Sequence, residues 1–359
     1  MSMDIPQTSY RVLARKYRPT KFSHMVGQEH AVQTLVNAFE QGRVAHAFIF
    51  TGIRGVGKTT TARLLARGLN CEQGPTPEPC GTCSQCLAVA ADNHVDIIEV
   101  DAASRTGVED VRELIEGVRY KPVLGKYKVY IIDEVHMLSR NAFNALLKTL
   151  EEPPAHVVFI FATTEIQKVP LTILSRCQRF DLRRVDIPTM STFFETLLKD
   201  EKATIEPEAL HLICRAAEGS VRDGQSLLDQ ALTATNGNIT ADQVRAMLGL
   251  NNRSDTIQLF STLMEGDAPR ALTQANALYI KGADPLNLLQ DLLDITHAMT
   301  ALKVAPQVNV QELDIPHADK QRCQELAQQL SVPTLSYAWQ ILMKGLEEVK
   351  AAPWPKPTL

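Results

Sequence analysis

No run of apolar residues in this chain is long enough to span a bilayer, so a membrane-spanning helix is not expected. The opening residues, Met1 to Tyr10, are polar and lack the apolar core of a secretory signal, which makes a cytosolic location the default expectation. A basic excess is missing too: 37 Lys and Arg stand against 41 Asp and Glu, a formal net charge of -4. A dedicated nucleic-acid binder carries such an excess or a strongly basic patch. Any DNA contact must therefore be local or shared with partner subunits. Arg11, Arg15, Lys16, Arg18 and Lys21 form one local basic group, which reads equally well as a DNA contact and as a solvated surface. The pattern of a secreted disulfide framework is also absent. Seven cysteines are an odd count, and Cys177, Cys214 and Cys323 stand alone. The other four cluster, which fits a reducing compartment with one metal site.

What is present is the balance of an ordinary globular protein, 45% hydrophobic and 22% charged. At 359 residues the chain is too long for one core and long enough for two or three domains. The first half alternates strands and helices. Strands are expected at Ala47 to Phe50, Val95 to Val100, Val129 to Ile132 and Val157 to Ala162. Helices are expected at Lys58 to Leu69, Val108 to Val118 and Phe143 to Leu150. Fully apolar strands in such alternation imply a buried parallel sheet covered by helices, an α/β fold. After about Arg184 the strand signals vanish. Helices are then expected at Met190 to Leu198, Pro207 to Ala217, Arg222 to Ala234 and Thr240 to Leu248, a small helical domain. Five more follow, at Asp255 to Met264, Ala268 to Lys281, Pro285 to Ala301, Lys320 to Gln329 and Pro333 to Val349. Their apolar stripes fit a core first and a subunit interface second. Ala351 to Leu359 is proline-rich and not expected to be ordered alone. The resulting division is 1–184, 185–250 and 251–359.

Gly52-Ile53-Arg54-Gly55-Val56-Gly57-Lys58-Thr59 fits the phosphate-binding loop pattern in full, between an expected strand and an expected helix. Its glycines let backbone N–H groups turn around phosphates, and the helix that follows aims its positive end at the same anion. Lys58 supplies a point charge to the β and γ phosphates, and Thr59 a hydroxyl for Mg²⁺. Val129-Tyr130-Ile131-Ile132-Asp133-Glu134 places two acids at the end of a buried strand, where open parallel sheets bind ligands. Asp133 suits the Mg²⁺ shell. Glu134 suits the attacking water, as general base or as its orienter, and so favours hydrolysis over mere binding. The group Cys71, Cys80, Cys83 and Cys86, with Gly and Pro between, offers four thiolates. Four sulfurs close a tetrahedral zinc shell and leave no open position, so a structural Zn²⁺ is the first expectation. An iron–sulfur cluster or free thiols are the alternatives.

These motifs, in this order, resemble the γ/τ subunit family of bacterial DNA polymerase III, AAA+ clamp-loader ATPases. The resemblance covers nearly the whole chain. It begins at Leu13-Ala14-Arg15-Lys16-Tyr17-Arg18-Pro19 and Val26-Gly27-Gln28-Glu29-His30, similar to the family's segment beside the adenine pocket. The cysteine insertion is more specific than the phosphate loop. Further matches are Asp101-Ala102-Ala103-Ser104, Asp133-Glu134-Val135-His136-Met137-Leu138 and the segment from Asn144 to Pro154. The resemblance implies an AAA+ ATPase domain with a zinc module at 71–86, a helical lid and a helical collar. It implies that Arg18, Pro19, Thr60 and Arg222 join the loop in holding ATP. Ala162-Thr163-Thr164 resembles sensor 1, with either threonine as the reader of the γ-phosphate. Ser175-Arg176-Cys177 resembles the motif whose arginine enters the neighbouring subunit's site, and Gly219-Ser220-Val221-Arg222-Asp223 resembles sensor 2.

The partners implied are δ, δ′ and further copies of the chain in a hetero-pentameric ring, the β sliding clamp and primed DNA, with no membrane. ATP binding would let the ring grip and open the clamp, and primed DNA would trigger hydrolysis and release. Two departures stand out. Gly224-Gln225 replaces a small-then-apolar pair, so a weaker start to the lid helix is expected, since glycine costs a helix ~1 kcal/mol relative to alanine. The family's long form also carries a tail for helicase and polymerase that does not follow here, so a short form or a piece of a longer chain is expected. Two rival readings are a DNA translocase or helicase, from the letters Asp133-Glu134-Val135-His136, and a non-hydrolysing scaffold subunit. The complete phosphate loop opposes the second.

Overall fold

A computed structural model describes residues 12–104, 107–235, 237–249, 253–305 and 320–352. Arg11, the segment Met1 to Tyr10 and the end of the proline-rich tail lie outside the described residues. The chain forms two compact units, one ending at Ile239 and the other beginning at Thr240.

The first unit opens with α1 (Leu13–Lys16) and α2 (Glu29–Glu40). Next come β1 (Ala47–Thr51), α3 (Lys58–Asn70), α4 (Ser84–Ala90), β2 (Ile97–Asp101), α5 (Val108–Val118) and β3 (Lys128–Asp133). The sheet ends with α6 (Arg140–Glu151), β4 (Val157–Thr163), α7 (Leu171–Leu174) and β5 (Gln178–Asp181). The five strands run parallel in the order β2-β3-β4-β1-β5. Side chains alternate across a strand, and both faces here are covered. Ala47, Ile49, Tyr130, Ile132, Phe159 and Phe161 pack on one face with Val111 and Val118 of α5 and Phe143 and Leu146 of α6. Phe48, Phe50, Val129, Ile131, Val158 and Ile160 pack on the other with Leu35 and Phe39 of α2 and Leu65 and Leu69 of α3. Two-sided burial is why these strands read as unbroken apolar runs.

A lid follows: α8 (Ile187–Asp200), β6 (Thr204–Ile205), α9 (Pro207–Ala216), α10 (Val221–Ala234) and β7 (Asn238–Ile239). The strands β6 and β7 pair in parallel, a small sheet in a region whose sequence shows no strand signal. The start of α10 is firmer than its composition suggests, because the Ser220 hydroxyl caps it by accepting from the Asp223 N–H at 3.2 Å. Gly224 has a packing reason: a Cβ there would lie 2.6 Å from Cζ of the fully buried Phe194. Gly224→Ala is therefore expected to destabilise. Overpacking costs about 1–3 kcal/mol, more than the ~1 kcal/mol of helix propensity that alanine returns. Urea unfolding checks the sign, and a stabilised variant would mean that Phe194 can move.

The second unit is helical: α11 (Ala241–Leu248), α12 (Arg253–Met264), α13 (Ala268–Ile280), α14 (Pro285–Val304), α15 (Lys320–Gln329) and α16 (Val332–Ala351). Its core runs from Ile257 and Phe260 of α12 through Leu292 and Met299 of α14 to Leu335 and Val349 of α16. Thr240 and Gln243 form a reciprocal capping box on α11, and Gly249, at φ 63°, closes it in the left-handed conformation. The other side of α16 leaves Tyr337 and Ile341 exposed.

Candidate functional site: a phosphate-loop cleft beside a cysteine module

The C-terminal ends of β1, β3 and β4 meet at one edge of the sheet, and a cleft of about 590 Å³ opens there. Arg54 to Thr60 of the phosphate loop, Asp133, Glu134 and Arg222 line it. Arg18, Pro19, Met25 and Val26 of the opening segment do as well. The loop is held from two sides. A Cβ on Gly52 would meet the Leu182 carbonyl oxygen at 2.5 Å, and one on Gly55 would meet Ser220 Oγ at 2.0 Å. Both positions need glycine for close approach, and φ of 147° and 75° needs it again. The Arg222 amide donates to the Gly55 carbonyl at 3.2 Å, so the lid helix starts directly against the loop.

Lys58 folds back into the loop, donating to the carbonyls of Gly52 at 3.0 Å and Ile53 at 2.9 Å. Gly52 and Ile53 thus face Lys58 rather than the lining of the cleft. Burial lowers the Lys58 pKa, and the carboxylates of Glu134 and Asp133 oppose that shift. Thr59 Oγ1 donates to Asp133 Oδ2 at 2.5 Å, so the two side chains assigned to Mg²⁺ by sequence already meet. Two oxygen ligands at the phosphate end of a helix suit a hard cation that keeps most of its waters.

The two threonines at the end of β4 have different places. Thr164 donates its amide at 3.1 Å and its hydroxyl at 3.0 Å to Glu134 Oε2. Thr163 is fully buried, its Oγ1 taken up by His136 at 2.9 Å and by the Glu165 amide at 3.0 Å. Arg176 is not in the cleft. It donates to Glu151 Oε1 and to the Thr172 carbonyl, each at 2.6 Å, on the surface. Arg18 is, and burial lowers its pKa, with the nearby Arg63 adding to the shift.

Several residues of this region have contacts that no motif specifies. Arg63 of α3 also lines the cleft and pairs with Glu99 at 2.7 Å and Asp92 at 2.5 Å, joining the helix to β2 and to the end of the cysteine module. Gln28 clamps the Arg183 backbone, donating at 2.8 Å and accepting at 3.1 Å. Asp96 is buried and accepts from the amides of Val123, Leu124 and Gly125, each at 2.7 Å. Burial alone would raise its pKa, but the three amides outweigh that and lower it. A depressed folded value means stability present above the unfolded value and lost as pH falls through the folded one. Asp96→Asn is therefore expected to cost about 1–3 kcal/mol at neutral pH, with the gap to wild type closing as pH falls below 3.8. Paired urea titrations across pH test this, and a gap that stays constant in acid would remove the charge from the explanation.

The four sulfurs of Cys71, Cys80, Cys83 and Cys86 lie within 4.8 Å of one another, and all four thiols are free. A tetrahedral zinc shell at about 2.3 Å per bond needs sulfurs about 3.8 Å apart, and Cys80 Sγ to Cys86 Sγ is 4.0 Å. Three amides point at sulfurs: Cys80 at Cys71 at 3.5 Å, Cys83 at Cys80 and Cys86 at Cys83 at 3.4 Å each. Such donors stabilise thiolates. Amide donors from Thr82 and Cys83 draw the Cys80 thiol down to about 6, whereas burial pushes Cys86 up to about 12. The donor set fits a closed structural zinc site, and α4, begun by Cys83, packs beside α3.

With this geometry in place, the comparisons agree along the chain. The DNA polymerase III delta subunit family matches residues 27–186, the DNA polymerase III clamp loader subunit ATPase lid domain matches 190–237, and the DNA polymerase III subunits gamma and tau domain III matches 239–359. The chain is 45% identical over 345 residues to the DNA polymerase III subunit tau of Salmonella typhimurium, covering 96% of this chain and 53% of that one. It is 39% identical over 345 residues to the DNA polymerase III subunit gamma of Buchnera aphidicola subsp. Baizongia pistaciae, covering 96% of this chain and 93% of that one. A phosphate-loop AAA+ domain with a lid and a helical C-terminal unit defines the class, and the chain belongs to the DNA polymerase III gamma/tau subunit family. It spans about half the length of the tau relatives. The Thermotoga maritima RuvB Holliday junction branch migration motor overlays with a TM-score of 0.48 at 18% identity, over 69% of this chain and 80% of that one. Among the described residues, no helix is long and apolar enough to cross a membrane.

Proposed function

We propose that this chain is an ATP-hydrolysing motor subunit of a bacterial clamp loader. Its ring partners are δ, δ′ and further copies of itself, and its substrates beyond ATP are the β sliding clamp and primed DNA. The observation that carries the reading is the convergence of phosphate loop, Asp133, Glu134 and the lid's Arg222 on one cleft in a gamma/tau family chain. The three-part division into motor, lid and collar belongs to the same proposal.

In this reading Lys58 leaves the carbonyls of Gly52 and Ile53 and turns to the β and γ phosphates. The opening segment around Arg18, Pro19 and Val26 takes the base. Thr59 and Asp133 hold Mg²⁺, which neutralises phosphate charge. Glu134 orients the attacking water or takes its proton, Thr164 rather than Thr163 serves as sensor 1, and Arg222 carries γ-phosphate occupancy to the lid. The cysteine module holds a structural Zn²⁺.

Arg176 acts on a neighbour. Its bond to Glu151 is part-exposed, and pairs of that kind contribute about 0–1 kcal/mol, so little opposes its exchange for a phosphoryl oxygen. Arg176→Ala is expected to leave nucleotide binding by the isolated chain unchanged. In the assembled ring turnover should fall ~10³-fold or more, the range seen for arginines supplied in trans. Normal turnover in the ring would remove Arg176 from this role.

A further inference from the structure

We propose that His136 is a positioning residue for Glu134, a part that no motif of the sequence assigns. The inference rests on the reading of Glu134 as the residue that acts on water. His136 sits in the tight turn Val135–Met137 just after β3, with its side chain 6% exposed. One ring nitrogen, Nδ1, lies 2.9 Å from Thr163 Oγ1 and 3.4 Å from Glu134 Oε2. The other, Nε2, lies 3.4 Å from Glu165 Oε1. The carboxylate contacts are longer than full hydrogen bonds, so they act by charge and orientation. The ring is buried with a carboxylate facing each nitrogen, and its hydrogen bond to the Thr163 hydroxyl fixes its orientation between them.

Glu134 needs such support. Its backbone is left-handed, at φ 46° and ψ 45°, a conformation that costs a non-glycine residue ~1–3 kcal/mol and persists only where the surroundings over-determine it. The Met137 amide holds its carbonyl at 2.9 Å. Thr164 and His136 then converge on one carboxylate oxygen, Oε2. Among the described residues none donates to Oε1, which is left for water. The Thr164 donors come from the end of β4. His136 comes from the turn of Glu134 itself and is fastened to β4 through Thr163. The ring therefore binds turn, strand end and carboxylate into one unit, which fixes the direction of Oε1.

The test compares His136→Ala, His136→Asn and His136→Gln in the full chain assembled with its loader partners, with Glu134→Gln alongside. Turnover and KM are measured, with affinity for a non-hydrolysable ATP analogue. An asparagine amide occupies the place of Nδ1, and a glutamine amide that of Nε2. The alanine variant is expected to lose ~10–100-fold in kcat, the scale of a misplaced catalytic group, with KM and analogue affinity within about twofold of wild type. The asparagine variant should recover most of the rate and the glutamine variant little. An alanine variant at wild-type kcat while Glu134→Gln is inactive would overturn the role of His136 alone. Loss of analogue affinity in step with kcat, in alanine and asparagine variants alike, would reduce His136 to a packing residue and overturn it too. A Glu134→Gln chain at wild-type rate would sink the reading of Glu134, and this inference with it.

Discussion

A chain carrying Glu134→Gln is expected to keep its nucleotide and lose its turnover by ~10²–10⁴-fold, the contribution of a positioned general base. The reason lies in which oxygen does what. The interactions that hold the carboxylate in place fall on Oε2, from the Thr164 amide, the Thr164 hydroxyl and the His136 ring. A glutamine can offer its carbonyl oxygen to the same donors, so the strained turn keeps its shape. What it cannot do is accept a proton on the other side. Binding depends instead on the loop, on Lys58 and on the Thr59–Asp133 pair, none of which the substitution touches. Nucleotide retention on a filter, beside single-turnover hydrolysis, separates the two. Loss of both together would mean that Glu134 supports the site rather than the chemistry.

The part of this arrangement legible in sequence is the part built from local backbone chemistry. The phosphate loop announces itself because glycine is needed where Leu182, just past β5, and the lid press on it, at Gly52 and Gly55. The strands β1, β3 and β4 are legible because burial on both faces leaves unbroken apolar runs along them, at Ala47 to Phe50, Val129 to Ile132 and Val157 to Ala162. The strand β5 was not. It lies at the sheet edge, and of Gln178, Arg179, Phe180 and Asp181 only Phe180 is buried, so it reads as surface. The pair β6 and β7 is two residues long on each side and has no periodicity to detect. The helix α2 carries a readable stripe in Val32, Leu35, Val36 and Phe39, of which Leu35 and Phe39 are buried. In the site, Asp96, Arg63 and His136 acquire meaning only through contacts with residues distant in sequence. His136 stands inside the match from Asp133 to Leu138, but nothing in that match sets its role apart from that of its neighbours.

The second large effect is expected at the cysteines. Purified chain should carry one zinc, and Cys86→Ser should lose it. Cys86 is fully buried, so the substitution removes a ligand and leaves a hydroxyl where a thiolate has to close the shell. In zinc-finger peptides structural zinc contributes ~10–16 kcal/mol of apparent binding energy, which is folding energy for the segment that holds it. The segment here runs from Cys71 through α4 to His94, whose ring is held by Gln85 Oε1 at 2.6 Å and by the Asp96 amide at 3.1 Å. Hydrogen exchange across α4 should rise by orders of magnitude in the variant or after chelation. The sheet strands β1, β3 and β4, whose core lies elsewhere, should stay protected. Metal analysis giving iron and sulfide would replace zinc by a cluster. A chain that is fully protected without any metal would end the structural-metal reading.

The measurement closest to the centre of the proposal is ATP turnover by this chain mixed with its candidate loader partners, with clamp and primed DNA added singly and together. The expected result is weak stimulation by either alone and strong stimulation by both, because a clamp loader couples hydrolysis to the completed assembly. Stimulation by DNA alone, indifferent to the clamp, would contradict it and point to a translocase built on the same fold.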